Sequence, residues 1–116
     1  MKGNFKFLVL VHRNENAPPS EMELQAIQQV TKWLETFQQD GKLESWGLFG
    51  VNRGGFGVWN VDSLDELHLI QATAPYAPFS TFEVYPLVSS EVFNKALKEV
   101  ETQMAQATKQ LAGAHR

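Results

Sequence analysis

The chain has 116 residues, 43% of them hydrophobic and 20% charged, with a net charge of −3 at neutral pH. That length suits one domain with a real core, and the acidic balance, with a pI near 5.5, argues against a phosphate-binding surface. Cysteine is absent, which excludes disulfides, thiolate catalysis and cysteine-based metal sites.

The opening MKGNFKFLVLVHRNE contains one short apolar run, Phe7 to Val11. It is far too short to span a bilayer and lacks a small-residue cleavage site, so a cytoplasmic protein with no membrane partner is expected. Phe5 to His12 is rich in β-branched and aromatic residues and predicts a first, central strand covered on both faces. After a polar, Pro-containing loop, Ser20 and Glu23 form an S-x-x-E capping box. The helix behind it carries Ile27, Val30, Leu34 and Phe37 on one face and stops at Asp40-Gly41. Lys42 to Asn52 predicts a second strand, Gly54-Gly55 a tight hairpin turn, and Phe56 to Val61 a third strand. Ser63 and Glu66 repeat the capping box before Leu64, Leu67 and Ile70, and Pro75 and Pro78 end that short helix. Phe79 to Val88 predicts a fourth strand, with Phe82, Val84 and Val88 on one face and Thr81, Glu83, Tyr85 and Leu87 on the other. Ser90 caps a last helix whose stripe runs through Phe93, Leu97, Val100, Met104, Ala107 and Leu111.

This order is βαββαβ plus a helix, the ferredoxin-like α+β pattern. Residues 1–89 form the domain and 90–116 a helical extension of it. Both helices of such a domain lie on one sheet face, leaving the other bare. Strands one and two read as apolar on both faces through Val9, Val11, Trp46, Leu48 and Phe49, a large exposed patch for a monomer. The expected solution is a homodimer or larger homo-oligomer, sheet against sheet as a dimeric α/β barrel, with the last helix as a clamp. The competing arrangement is a monomer whose last helix covers the bare face.

Several side chains are candidates for chemistry. His12, at the carboxyl end of a central strand, suits a general base or a plain loop-entry position. His68 sits beside the apolar stripe of the second helix. Glu44, Glu83 and Tyr85 point away from the apolar face; in a cavity Glu83 would be desolvated and suited to proton transfer, and in water simply solvated. Trp46 and Trp59 can wall an apolar ligand or fill a core, and Arg53 can hold a carboxylate or merely lie on the surface. The histidines at 12, 68 and 115 have no metal-ligand spacing, and no phosphate loop or nucleophile elbow is present. Arg53 to Trp59 loosely echoes the RNP1 motif of RNA-recognition domains. An extra glycine puts the aromatics out of step, however, and nucleic acid is not an expected partner.

From Gly41 to Val84 the chain resembles the muconolactone isomerases, small dimeric α/β-barrel proteins of aromatic catabolism. The resemblance rests on Gly41-Lys42, on Phe56, Val58 and Val61, on Ser63, Leu67-His68 and Pro75, and on Phe82-Glu83-Val84. The opening Lys6-Phe7-Leu8-Val9 is also similar. It implies a cofactor-free isomerase or cyclase that moves a proton on an unsaturated lactone or carboxylated apolar molecule, with Glu83 and His68 matching the family by position. The chain departs from the family at Asn52-Arg53, where the family has a His-Tyr pair, around Ser45 to Gly47, and in its last helix. On this reading Glu83 or His12 moves the proton, Tyr85 or His68 bonds the developing oxyanion, and Trp46, Trp59, Arg53, Asn52 and Glu44 contact the small organic ligand. A ligand-binding or interaction module without chemistry is the alternative.

Overall fold

The computed structural model describes residues 3–16, 18, 20–50 and 53–114. Strands β1 (Phe5–Arg13), β2 (Leu43–Leu48), β3 (Gly54–Val61) and β4 (Ser80–Leu87) alternate with helices α1 (Glu21–Gln39) and α2 (Leu64–Ala72), and α3 (Ser90–Ala114) follows. The sheet runs β2-β3-β1-β4, every neighbouring pair antiparallel, which is the ferredoxin-like arrangement. The βαββαβ order read from the sequence is therefore the observed one.

The caps explain why the helices begin where they do. Ser20 Oγ accepts from the Glu23 N–H at 3.1 Å, and Ser63 Oγ accepts from the Glu66 N–H at 3.0 Å. In both boxes the glutamate side chain goes elsewhere: Glu23 to Arg13, and Glu66 to the Asp62 N–H and to Lys42. Gly41, at φ 80°, ends α1 in the left-handed conformation that glycine adopts without strain. The cap of α3 is Ser89 rather than Ser90, since Ser89 Oγ accepts from the Val92 N–H.

The hairpin differs from its sequence reading. β2 stops at Leu48 and β3 already begins at Gly54, so the two glycines belong to the strand and not to a tight turn. Gly54, at φ 138°, accepts from the Phe49 N–H at 3.0 Å, and the connection between the strands is longer than the two glycines predicted. Val51 and Asn52 lie outside the described residues.

Register assigns the faces. Phe7, Val9 and Val11 pair with Trp59, Gly57 and Gly55, and Trp46 and Leu48 pair with Gly57 and Gly55. All of these face the helices, where Val9, Leu34, Leu43, Trp59, Val61, Leu67 and Ile70 form the core. The open face is apolar as expected, but through different residues: Leu8 opposite Val58 and Tyr85, and Leu10 opposite Phe56 and Glu83. Val9 and Val11 belong to the helix side by alternation along β1, and Trp46 and Leu48 follow through their pairing with Gly57 and Gly55, after a register shift between Leu43 and Ser45 that breaks the alternation of β2. Trp59 also turns inward, so of the aromatics in the RNP1-like stretch only Phe56 reaches the open face.

α3 does not cover that face. Every residue from 90 to 113 is exposed, and the molecule measures 77 × 35 × 25 Å because this helix projects from the domain.

The core makes a simple prediction. Leu67 is 1% exposed and its helical neighbour Leu69 is 66% exposed. Leu67→Ala is expected to lower stability by about 2–5 kcal/mol, while Leu69→Ala stays within about 0.5 kcal/mol, both read from urea unfolding.

Candidate functional site

A cavity of about 530 Å³ opens between α1 and the β2–β3–β1 end of the sheet, within the range of small-molecule sites. Its origin is legible in β3. Gly55 and Gly57 face the helices and carry no side chain, so this part of the floor is bare backbone. A Cβ on Gly57 would come within 2.6 Å of the Trp59 indole nitrogen, so the ring lies against the strand here. Trp59 in turn packs on Trp33 and Phe37 of α1, with ring centroids 5.8 and 5.4 Å away. Trp46, Ile27, Val30 and Leu34 complete the apolar wall.

The polar groups of the cavity sit at its β1 end. Arg13 and Glu23 form a two-pronged ion pair: Nε donates to Oε1 and Nη2 donates to Oε2 at 2.9 Å. The two side chains are only 13% and 7% exposed. Arg13 also donates to the Asn14 carbonyl at 3.2 Å. Arg13's hydrogen bonds hold the Glu23 carboxyl below the usual carboxylate range against the opposing effect of burial, and the charges of Arg13 and then Arg53 lower it further. Glu23 in turn raises the Arg13 guanidinium. Two cations and one carboxylate leave this end of the cavity with a net positive charge. Tyr76 also lines the cavity, and its hydroxyl donates to Gln71 Oε1 at 2.9 Å; burial pushes its pKa up, so it remains a neutral donor.

On the opposite face three of the sequence candidates meet. Tyr85 Oη donates to Glu83 Oε2 at 3.0 Å, and His12 Nε2 lies 3.8 Å from the same oxygen. This hydrogen bond raises the Tyr85 phenol, because it and the Glu83 charge favour the protonated form. His12 and Glu83 are about half exposed, at 40% and 51%. The His12 ring stacks on Phe49 with centroids 5.7 Å apart, and Phe49 also lines the cavity. The two groups thus share one edge of the sheet, separated by Phe49 and by Gly54, which pairs with His12 and has no side chain.

The remaining candidates are dispersed. Trp46, Trp59 and Arg53 line the cavity. Glu44 pairs with Lys6 at 2.9 Å at the far end of the open face. His68 is exposed on α2, beside the buried Leu67, and joins neither group. Asn52 lies outside the described residues. Among the described residues no group of three or more His, Asp or Glu side chains is placed to hold a metal ion, and no helix is long and apolar enough to cross a membrane. Sequence reasoning missed the Arg13–Glu23 pair. It ended the first strand at His12 and assigned Glu23 to a helix cap, which its backbone N–H satisfies without using the carboxylate.

Comparison with known proteins now places the chain. The YCII-related domain matches residues 5–91. The chain belongs to the YCII-related family. Among solved structures, the YCII-related protein is similar to muconolactone isomerase, with a TM-score of 0.64 and 18% identity over 72% of this chain and 88% of that one. It is also similar to 5-chloro-2-hydroxyhydroquinone dehydrochlorinase from Burkholderia phenoliruptrix AC1100, solved in complex with 2,5-dihydroxybenzoquinone. That match has a TM-score of 0.55 and 16% identity over 74% of this chain and 96% of that one. At these identities the likeness is one of fold. No curated protein matches the sequence. The family match ends inside the first turn of α3, so most of that helix lies beyond the matched region.

Two predictions follow from the electrostatics. Because the folded-state pKa of Glu23 is depressed, the stability from its pairing is present above the unfolded carboxyl pKa, about 4.3, and is lost as pH falls through the folded value. Glu23→Gln is therefore expected to melt below the parent protein at pH 7, with the gap closing as pH falls below the unfolded carboxyl value of about 4.3. A gap that stays constant in circular-dichroism melts would exclude this role. Separately, Glu83→Gln is expected to let Tyr85 ionise at lower pH, seen as an earlier rise in absorbance at 295 nm that Tyr85→Phe abolishes.

Proposed function

We propose that this YCII-related protein is a cofactor-free small-molecule enzyme that transfers a proton on a planar, unsaturated, anionic substrate. The observation that carries this reading is the position of Phe49, which lines the cavity on one side and stacks on His12 on the other. A ligand filling the apolar cavity between Trp46 and Trp59 would bring one end to the edge where His12, Glu83 and Tyr85 are grouped. Arg53, on the positively charged side of the cavity, suits a carboxylate or enolate oxygen. Glu23 is a poor candidate for the base, since Arg13 pulls its pKa away from neutrality, where proton transfer is most efficient. Its role is to hold Arg13. His12, next to a carboxylate and a phenol, is the better proton carrier, and Tyr85 the better donor to a developing oxyanion.

The bare, apolar open face supports a homodimer. A second sheet against Leu8, Leu10, Phe56 and Val58 would also shield the His12–Glu83–Tyr85 group from water and strengthen its electrostatics.

The fold relatives act on or bind a lactone and a quinone by their names, which favours ring substrates as the first probes. The test is solvent deuterium exchange into a carboxymethyl-substituted unsaturated γ-lactone, followed by NMR. The native protein is expected to catalyse exchange at the carbon next to the carbonyl. His12→Ala or Glu83→Gln should slow it by roughly 10²–10⁴-fold, while Trp46→Ala should mainly raise KM. Exchange untouched by the His12 and Glu83 changes would refute the assignment. Saturable binding of the lactone without exchange would instead establish a binding module.

A further inference from the structure

We propose that α3 is a dimerisation arm that pairs with α3 of a second copy of this chain, parallel and in register, as a short two-stranded coiled coil. Four observations converge on it.

The first is periodicity. Six apolar residues of α3, at 93, 97, 100, 104, 107 and 111, follow spacings of four and three in strict alternation, while Val92, Ala96, Ala105 and Ala112 lie outside this seam. That is a heptad seam of period 3.5, the repeat of helices packed on one another. A helix laid on a sheet shows the broader stripe of period 3.6.

The second is exposure. Phe93 is 60% exposed, Leu97 45%, Val100 50%, Met104 66% and Leu111 64%, so nothing among the described residues occupies the seam. In proteins most helical stability comes from packing an amphipathic face rather than from intrinsic propensity.

The third is charge. α3 carries three acidic and three basic side chains, so two copies do not repel each other as bodies. Of the positions flanking the seam, 94, 96, 101, 103, 108 and 110, only Glu101 is charged. In a parallel pair Glu101 faces Ala96 of the partner subunit. In the antiparallel pair that matches the same apolar layers it meets its own copy, a like-charge contact.

The fourth is area. The seam offers roughly 400 Å² per chain and the open sheet face roughly 500 Å², from helix and strand dimensions. A stable interface needs about 800 Å² from each partner. Neither surface suffices alone; one second copy that covers both does.

The chain has no cysteine, so single-cysteine variants report one contact each. Ala107 is on the seam and Lys109 on the outer side of the helix. Under mild oxidation of the full chain at micromolar concentration, Ala107→Cys is expected to form a covalent dimer at least tenfold faster than Lys109→Cys. Adding Leu97→Asp to Ala107→Cys is expected to remove that advantage while leaving the far-ultraviolet spectrum of the domain intact. Equal rates at 107 and 109, or cross-linking that survives Leu97→Asp, would overturn the proposal. So would a sedimentation equilibrium showing a monomer at tens of micromolar. A dimer that persists with no cross-link at 107 would be held by the sheet faces and would also refute the pairing of α3. None of these readouts involves the cavity or His12, so they stand apart from the proposed activity.

Discussion

Trp59 against Gly57 is the contact on which the rest of the structure depends. The indole is 1% exposed and sits between the bare backbone of β3 and the rings of Trp33 and Phe37. Burying such a ring removes roughly 150–250 Å² from water, on the order of 4–6 kcal/mol as an upper estimate. It can lie so close to the strand because position 57 has no Cβ. The same absence of side chains, repeated at Gly55, leaves room beside the indole that Val11, Trp46 and Leu34 border but do not fill. One glycine pattern thus fixes α1 onto the sheet and creates the cavity.

The Arg13–Glu23 pair joins the end of β1 to the start of α1, the two elements that bracket the cavity mouth. Burying both charges costs several kcal/mol of hydration each, and their attraction recovers that only when the geometry is good. A two-pronged guanidinium–carboxylate contact supplies such geometry. The pair therefore argues for orientation more than for stability. An apolar pair would close this end of the cavity just as firmly, but would present no positive charge to a ligand.

The fold was legible because each element carries its own signal: period-two strands, two serine caps, and a glycine stop confirmed at Gly41. The errors are physical and specific. Gly54-Gly55 predicts a turn from sequence, yet both glycines serve the strand, where a missing side chain matters more than a turn. The faces of Val9 and Val11 are not legible because a continuous apolar run does not say which alternate residues face the helices, and those of Trp46 and Leu48 because a register shift between Leu43 and Ser45 breaks the alternation of β2. Register assigns those faces, and it is set by pairing partners distant in sequence. In the site, alternation along β4 correctly put Glu83 and Tyr85 on one face, and His12 joins them because residues 12 and 81 pair across the strands. Glu23 was invisible for the opposite reason. Its local role as a capping residue was sufficient, and nothing local announces that its carboxylate reaches back across ten positions to Arg13.

The molecule leaves two kinds of surface unsatisfied, and they are chemically different. The open sheet face mixes apolar side chains with a histidine, a carboxylate and a phenol. The seam of α3 is apolar from Phe93 to Leu111 with no ionisable side chain in it. A face that must hold both a partner and a reactive group cannot be optimised for tight association, because every polar group it buries has to be matched. A separate arm removes that conflict. On the proposed pairing it would supply the apolar contact at a distance from the His12 group, and would bring the sheet faces together at high effective concentration. The His12 edge would then need only to exclude water, leaving its polar side chains for the proposed substrate.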